Sequence, residues 1–248
     1  MKCLGILVLV LAGLTALFAG CDDEWEWVGD AVEGSGNVVT EEMALADFSA
    51  VEAANAFEVE ITQSDTFAVT IRVDDNILDL LDVSKEGDTL RLRLERGVSL
   101  RGDVTLEASI TMPALDGLEL SGASRASVSG FRSTDQLDIV LSGASTLDGD
   151  LEAGQTDIDA SGASRVVLEG SATEATIEGS GASSLDLADF TVNTAEVRLS
   201  GASEATVNVQ ERIEPVDVSG ASRLRYLGDP SLGDVSTSGV STVEKVGD

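Results

Sequence analysis

Short stretches of alternating aliphatic and polar residues recur along the chain from residue 118 onward. Between them stands the tetrapeptide Ser-Gly-Ala-Ser, present six times and followed by one Ser-Gly-Val-Ser variant. Successive copies follow one another at intervals of 21, 19, 19, 20, 19 and 19 positions. The first two residues of the seven motifs are Ser121 and Gly122, Ser142 and Gly143, Ser161 and Gly162, Ser180 and Gly181, Ser200 and Gly201, Ser219 and Gly220, and Ser238 and Gly239. This near-constant period indicates a repeat protein.

The residues that flank each motif predict its local structure. Mostly small or aliphatic residues stand one and three positions before the first serine and five positions after it, as at Ile158, Ala160 and Val166. Period-two alternation is typical of a strand with one buried face. Each unit is therefore predicted to contain a strand, a tight Ser-Gly corner with its alanine pointing inward, a second strand and a polar connection. Glycines or aspartates such as Gly130, Gly149, Gly170 and Asp189 mark that connection.

Units of this kind predict an all-β fold, a parallel β-solenoid with turns of roughly 19–21 residues. Each turn stacks about 4.8 Å above the previous one, and stacking creates the core that no single turn can bury. Glycine at the corner allows a positive φ or a close approach of two backbones. The serine hydroxyls are expected to form ladders along the outside of these corners.

The N-terminal half predicts longer and more varied strands. Residues 57–61, 67–71 and 89–94 alternate cleanly, and residues 76–81 are compatible with a helical turn. Such irregular turns are expected to cap a solenoid and protect its open edge. Since no proline-rich or low-complexity linker interrupts the chain, residues 38–248 are predicted to form one domain, with regular repeats over 118–246.

Residues 1–20 resemble a secretory signal peptide. Lys2 precedes an apolar run over residues 3–18, which is shorter than the roughly 20 residues that span a bilayer. Ala19-Gly20-Cys21 then resembles a bacterial lipobox, which makes Cys21 the predicted lipid-attachment residue and residues 21–37 an acidic tether. An ordinary signal peptide with an incidental cysteine is the alternative. The acidic residues after Cys21 resemble sorting signals whose meaning differs between bacteria, so the predicted location is the cell envelope, facing the periplasm or the outside.

Composition excludes several classes of function. The chain has 45 acidic and 15 basic residues and no histidine, which gives a formal net charge of −30. Such a charge repels phosphate backbones, so no nucleic-acid partner is expected. A histidine-based catalytic site or metal site is impossible, and the corner motif occurs seven times without a base to activate its serine. We therefore predict no catalytic residues, no metal site and no cofactor.

Charged residues near the corners suggest pairing. In four repeats, the residue two positions before the first serine and the residue four positions after it have opposite charges. Stacking the repeats would align each of these positions into a column, and we expect the two columns to approach each other around the corner. The four pairs are Glu119 and Arg125, Asp159 and Arg165, Arg198 and Glu204, and Asp217 and Arg223.

Several of these features together resemble one family. A lipoprotein-like signal precedes Gly34-Ser35-Gly36-Asn37-Val38, Phe48-x-x-Val51, the segment 57–63 and the Leu-Ser-Gly-Ala-Ser repeats. This combination, over roughly residues 38–246, is similar to the head GIN domain of auto-transporter adhesins. The resemblance implies a right-handed parallel β-helix in a bacterial envelope lipoprotein, and adhesion as its role.

Three functions are compatible with these features. The first is a non-enzymatic envelope lipoprotein, held at the membrane by its lipid, that contacts a glycan or an envelope protein for adhesion or another surface interaction. The second is a periplasmic accessory or envelope-sensing binding protein. The third is a polysaccharide lyase or hydrolase, since β-helices often carry such enzymes. The catalytic sites of such enzymes use clustered carboxylates. Candidate carboxylates in this chain are Asp148, Asp150, Asp157 and Asp159, but they are spread over predicted connections and strand faces.

Overall fold

A computed structural model describes residues 31–247 and consists almost entirely of strands. The first ten strands are β1 (Val32–Glu33), β2 (Val38–Met43), β3 (Ala50–Ala53), β4 (Glu58–Gln63), β5 (Ala68–Asp74), β6 (Leu81–Glu86), β7 (Thr89–Leu94), β8 (Leu100–Arg101), β9 (Leu106–Met112) and β10 (Gly117–Leu120). The remaining ten are β11 (Arg125–Arg132), β12 (Leu137–Leu141), β13 (Thr146–Ala160), β14 (Arg165–Gly179), β15 (Ser184–Leu199), β16 (Glu204–Val218), β17 (Arg223–Leu227), β18 (Ser231–Leu232), β19 (Val235–Thr237) and β20 (Thr242–Lys245). A 3-10 turn spans Leu78–Leu80.

The predicted signal peptide, Cys21 and the first part of the tether lie outside the described residues. Within residues 31–247, no helix is long and apolar enough to cross a membrane.

The second half of the chain is a stack of parallel coils. Strands β13, β14, β15 and β16 pair in parallel, and Thr146, Arg165, Ser184 and Glu204 occupy equivalent positions in successive coils. These residues are 19, 19 and 20 positions apart, so one coil corresponds to one sequence repeat. The predicted all-β parallel β-solenoid, with the period read from the sequence, is confirmed.

The expected polar connection between strands is wrong for the central coils. Strand β14 continues without interruption from Arg165 to Gly179, and β13, β15 and β16 are similarly long. These strands bend instead of stopping. Gly170 lies at such a bend with a φ of 112°, and a Cβ there would come within 2.0 Å of the Leu151 carbonyl oxygen in the coil below. The glycine that suggests a loop in the sequence thus allows a close backbone contact within a continuous strand.

The first coils are stacked out of chain order. Strands β3 and β4 lie below β10 and β11, although strands β5 to β9 separate the two pairs in the chain. The intervening segment provides the coil below, because β7 pairs with β3 and β9 pairs with β4, both in parallel. The chain therefore adds one coil beneath its first coil before it builds the regular stack above.

Antiparallel strands close this lower end. Strand β5 pairs with β9, β2 pairs with β5, and β6 pairs with β7, all antiparallel. A strand that runs against the direction of the coils ends the parallel ladder on that side. The irregular strands of the N-terminal half act as the predicted cap. The expectation that they are longer is wrong, because they have two to seven residues, whereas β13 to β16 have 15 or 16.

A polar clasp fixes the start of the domain to the cap. The buried Asp74 carboxylate accepts hydrogen bonds from the backbone N–H of Gly36 at 2.6 Å and of Thr105 at 2.8 Å. Hydrogen bonds from the Ser35 hydroxyl and the Asn37 amide hold the pKa of Asp75 below its usual value. Since this stabilises the ionised carboxylate, the clasp weakens as the pH falls through that lowered pKa. The Gly-Ser-Gly-Asn segment therefore has a structural role.

One continuous core runs through all the coils. It consists mainly of aliphatic residues that are almost fully buried, together with four phenylalanines, of which Phe57 and Phe190 are the most deeply buried. Each coil contributes residues from inward-facing strand positions, as Ile158 and Ile177 do in neighbouring coils. Stacking one coil on the next is what removes these side chains from water, as expected for a solenoid.

One polar side chain interrupts this core. Thr156 is 0% exposed, and its hydroxyl has no hydrogen-bond partner. An unpaired buried hydroxyl costs about 1–3 kcal/mol, so the isosteric change Thr156→Val should raise the free energy of unfolding by about 1 kcal/mol. Urea unfolding followed by circular dichroism measures this difference. A loss of stability would show that the hydroxyl is satisfied, for example by a bound water.

Candidate interaction surface

The Ser-Gly-Ala-Ser motifs form a continuous backbone ladder along one corner of the solenoid. All seven motif glycines have a positive φ, between 73° and 77°. The Gly143 carbonyl accepts a hydrogen bond from the Ala163 N–H at 2.7 Å, and Gly162 and Ala182 repeat this contact one coil higher. A Cβ on Gly162 would lie 2.4 Å from the Gly143 carbonyl oxygen. The corner therefore needs glycine for both its φ and its close stacking.

The predicted orientation of the motif side chains is reversed. The alanine of each motif is exposed, whereas the second serine is buried in six of the motifs, and these are Ser124, Ser145, Ser164, Ser183, Ser203 and Ser222. The hydroxyl of Ser164 donates to the carbonyl of Ser161 at 2.7 Å, which closes the corner locally. Only a small side chain that satisfies its own polar atom fits at this inward position.

The strand that leads into each corner presents two outward columns of side chains, which we call the acidic face. Its residues lie two and four positions before the first serine of a motif. They include Glu119, Val140, Asp159, Glu178, Arg198 and Asp217 in one column, and Asp138, Asp157, Thr176 and Glu196 in the other. Because the strands pair in register, neighbours in a column are about 4.8 Å apart.

An open groove follows the acidic face along the solenoid. One part, of about 390 Å³, lies beside Val140, Asp157 and Asp159. The next part, of about 400 Å³, extends from Asp159 past Arg198 to the serines at the corner. Both parts share Asp159 and Glu178, so they form one surface across several coils. It offers carboxylates on its floor and hydroxyls along one rim.

The predicted pairing of charges across the corner is wrong. None of the four expected pairs forms a salt bridge within residues 31–247. Ion pairs form within the acidic face instead. Arg198 contacts Glu178 of the coil below at 3.1 Å, Asp217 of the coil above at 4.0 Å, and Glu196 on its own strand. The contacts with Glu178 and Asp217 run along a column, because stacked residues are closer than residues on either side of a corner.

Arg198 is therefore the charge that offsets the upper part of the acidic face. Partial burial lowers the pKa of its guanidinium, but the charge of Glu196 and the hydrogen bond to Glu178 outweigh this effect and hold that pKa above its usual value. The guanidinium thus remains protonated at any physiological pH.

Replacing Arg198 should expose the repulsion between its neighbours. Arg198→Gln leaves Glu178, Glu196 and Asp217 without their shared cation, so we expect a lower melting temperature in dilute buffer. At about 1 M salt the screening length falls to about 3 Å and most of the difference should disappear. Arg165→Gln is the matched control, because Arg165 forms no ion pair in the described part of the chain. Equal effects of the two variants at low salt would contradict this assignment.

The four carboxylates considered above as catalytic candidates lie on two different faces. All four lie on β13. Asp157 and Asp159 belong to the acidic face, where β13 leads into the next corner, whereas Asp148 and Asp150 lie on the part of β13 that follows the preceding corner. Carboxylates that are far apart in the sequence become neighbours when the coils stack. Asp150 lies next to Glu169 of the following coil, and Glu169 lies next to Asp189 of the coil after that. Arg132 binds Asp150 at 2.9 Å and Glu152 at 3.1 Å. Within residues 31–247, no group of three or more such side chains is arranged to hold a metal ion.

Solved structures share this fold. A crystal structure of a "putative adhesin" from Bacteroides fragilis NCTC 9343 is 24% identical and has a TM-score of 0.81, and the match covers 87% of this chain and 100% of that chain. A "putative lipid binding protein" from Parabacteroides distasonis ATCC 8503 is 19% identical, with a TM-score of 0.70 and coverage of 88% and 100%. A "putative adhesin" from Parabacteroides merdae ATCC 43184 is 18% identical, with the same TM-score and coverage. At these identities the likeness shows the fold.

The family follows from the sequence match. The chain matches none of the curated proteins. The family model described as "Putative auto-transporter adhesin, head GIN domain" matches residues 47–230, which is well over half of the chain. This match confirms the resemblance seen in the sequence, and its adhesin description indicates a non-enzymatic protein of the cell envelope or surface. The chain belongs to this head GIN domain family.

Proposed function

We propose that this protein is a non-enzymatic lipoprotein of the bacterial cell envelope that mediates adhesion or another interaction at the cell surface, and that it binds its partners through the acidic face. The observation that carries the proposal is the regular array on that face, where carboxylates and corner hydroxyls line one groove across several coils. Stacked strands fix the spacing of this array, so its geometry is formed before any partner arrives. A preformed surface loses little entropy on binding. Membership in an adhesin family supports this role.

The chemistry of the face selects the class of partner. Carboxylates such as Asp157, Asp159 and Glu178 attract cationic groups, and serine hydroxyls exchange hydrogen bonds with hydroxyl-rich surfaces. A glycan that carries amines, or a basic segment of an envelope protein, fits this combination. Binding of a lipid, as in the name of one solved relative, suits the groove poorly, because its carboxylates repel phosphate and Val140 is its most exposed apolar side chain.

The arginine of the groove argues for binding rather than catalysis. A β-helix lyase that uses arginine as its base needs a guanidinium whose pKa is lowered toward neutrality. The surroundings of Arg198 act in the opposite direction, because its carboxylate neighbours raise that pKa. Arg198 therefore serves to balance charge on the acidic face.

Neutralising the acidic face tests the binding role. The triple variant Asp138→Asn, Asp157→Asn and Asp159→Asn removes three charges from the groove. The matched control, Asp148→Asn, Asp186→Asn and Glu169→Gln, removes three charges from the face that follows the corner. Purified proteins are applied to an array of amino-sugar glycans, neutral glycans and matrix proteins. We expect binding that the first variant loses and the control retains. Equal binding by all three proteins, or no binding by the unmodified protein, would contradict the proposal.

A lipid on Cys21 completes the proposed arrangement. The first strand begins at Val32, so about ten residues separate it from Cys21, and an extended chain of that length reaches at most about 33–36 Å. The capped end of the solenoid would thus lie close to the membrane surface. Growth with a labelled fatty acid should label the protein, and Cys21→Ser should abolish both the label and recovery in the membrane fraction. An unlabelled protein that remains in the membrane fraction would contradict lipid attachment.

A further inference from the structure

Two columns of side chains flank the corner of the solenoid. The entry column is the column of the acidic face next to the corner, two positions before the first serine of each motif. The exit column lies four positions after that serine and consists of Arg125, Thr146, Arg165, Ser184, Glu204 and Arg223. In these six coils, wherever both columns carry a charge, the two charges are opposite. The pairs are Glu119 and Arg125, Asp159 and Arg165, Arg198 and Glu204, and Asp217 and Arg223.

One chain does not use this complementarity by itself. Arg125, Arg165 and Arg223 are exposed and form no ion pair with any residue in 31–247, although acidic residues outnumber basic ones 45 to 15. Glu119 and Asp159 form none within this range either. The corner directs the two columns to different sides of the molecule. Their charges are therefore available to a second molecule with the matching pattern.

The ridge between the two columns carries no bulky side chain. The glycine and the alanine of each motif are exposed in all six coils, and the alanines are Ala123, Ala144, Ala163, Ala182, Ala202 and Ala221. Two such ridges can approach each other closely, which brings the flanking columns within reach of long arginine side chains. The ridge permits the approach, but the charges beside it select the partner.

We propose that two copies of this chain form a parallel dimer, corner to corner, about a two-fold axis that runs along the solenoid. A half-turn about this axis places the entry column of each copy opposite the exit column of the other and keeps every coil at its own level. Asp159 of one copy then faces Arg165 of the second copy, and the other three pairs face each other in the same way. The interface is self-complementary and closes after two copies.

The charges select this register. The two coils below the motifs add Arg91 and Glu107, which are opposite, and Glu52 and Glu58, which are alike. Over these eight coils the dimer has five opposite pairs and one like pair on each side. A shift by one coil gives two opposite and two like pairs in one direction, and one opposite and three like pairs in the other. The single like pair is offset by Arg91, which binds Glu52 at 2.7 Å.

The charges also select the parallel direction. An antiparallel pair of corners places each entry column opposite the entry column of the second copy. This column has five acidic and two basic residues over the eight coils, so a net charge of −3 would face −3. The exit column has three acidic and three basic residues and carries no net charge. Facing like charges are unfavourable, so the parallel arrangement is preferred.

A shared membrane favours such a dimer. Both caps lie at the same end, so two copies anchored in one membrane have the required direction. Exposed ion pairs contribute little each, and confinement raises the effective concentration of the copies. In the cell the inference therefore rests on the proposed lipid attachment. The second column of the acidic face, with Asp138 and Asp157, lies farther from the ridge and remains open to the partners proposed above.

Disulfide cross-linking in membranes tests the geometry. Because the axis runs along the ridge, each ridge alanine lies opposite its counterpart in the second copy. Ala123→Cys, Ala163→Cys and Ala221→Cys are introduced singly into the full chain, and the membranes are treated with a mild oxidant. We expect disulfide dimers at all three positions. Thr134→Cys, exposed in the connection between β11 and β12, is the matched control and should remain monomeric, as should the unmodified chain.

Charge reversal tests the pairing. The basic variant carries Glu119→Arg and Asp159→Arg, the acidic variant carries Arg125→Glu and Arg165→Glu, and both carry Ala221→Cys. Each variant alone should cross-link at least about tenfold less, because like charges then face each other. Expressed together with different tags, the two variants should cross-link with each other as well as two copies that carry Ala221→Cys alone. This recovery also shows that both variants fold.

The outcomes distinguish the dimer from its alternatives. Asp135→Arg with Glu174→Arg changes the charge by as much as the basic variant, but on exposed residues away from the corner, and should cross-link normally. Cross-linking at none or only one of the three ridge positions overturns the parallel dimer, and the latter result indicates an antiparallel pair. Charge variants that cross-link normally when alone, or fail to do so together, overturn the pairing. If the protein is absent from the membrane fraction, the lipid attachment fails, and the same cross-links at about 100 μM in solution decide the dimer.

Discussion

Gly162→Ala is expected to lower the free energy of unfolding by about 2–5 kcal/mol. Two separate effects contribute to this loss. The φ of Gly162 is 74°, which costs an L-residue about 1–2 kcal/mol. The new Cβ would also lie 2.4 Å from the Gly143 carbonyl oxygen, which is held in the corner ladder, so the coils must separate locally at a cost of about 1–3 kcal/mol. Urea unfolding measured by circular dichroism gives the change directly.

Gly87→Ala separates the two effects. Gly87 also has a positive φ, of 59°, but a Cβ there meets no atom within 4 Å. This control should therefore lose about 1 kcal/mol, which is the cost of the backbone conformation alone. If the two variants lose the same free energy, close stacking of the corner backbones contributes nothing and our account of the repeat is wrong.

Ser164→Leu should lower the free energy of unfolding by about 2–4 kcal/mol, whereas Ala163→Leu should change it by less than about 0.5 kcal/mol. Ser164 is 1% exposed, and its hydroxyl donates to the Ser161 carbonyl. A leucine at that position overfills the corner, at about 1–3 kcal/mol, and removes a hydrogen bond worth about 1 kcal/mol. Ala163 is exposed, and its backbone N–H keeps the ladder intact whatever side chain it carries.

This pair of variants tests which side chain of the motif points inward. Both substitutions introduce the same residue at adjacent positions, so differences in leucine itself cancel. Thermal unfolding of the two variants in the same buffer is sufficient. A larger loss for Ala163→Leu than for Ser164→Leu would restore the orientation predicted from the sequence and contradict the structure.

The sequence predicts the solenoid well because period and alternation act on every coil. A near-constant spacing of the motifs requires strands that pair in register, and the register observed from β13 to β16 has the same spacing. The reversed corner could also have been predicted. Val166 is an inward residue two positions after Ser164, so strict alternation places Ser164 inward and Ala163 outward. The small size of alanine favours an inward orientation at a narrow corner, but the glycine before it already allows the sharp turn, so the alanine does not need to point inward.

Other features depend on contacts that no local pattern reveals. The coil of β7 and β9 lies beneath β3 and β4 because the chain returns to the bottom of the stack, and the alternation of those strands is the same in either order.

The ion pairs of Arg198 could be predicted by placing the repeats in register, since Glu178 and Asp217 occupy the same motif position in neighbouring coils. The groove arises from both columns together, so it becomes visible when the coils are stacked.

Protease treatment of intact cells tests the central claim that this protein acts at the cell surface. An antibody against the domain detects the protein before and after treatment, and a periplasmic protein serves as the control for lysis. We predict that the signal is lost while the periplasmic control remains intact, because the acidic face must be outside the cell to contact a glycan or another cell. Full protection of the protein in cells whose exposed surface proteins are digested would contradict adhesion and favour a periplasmic accessory or envelope-sensing role.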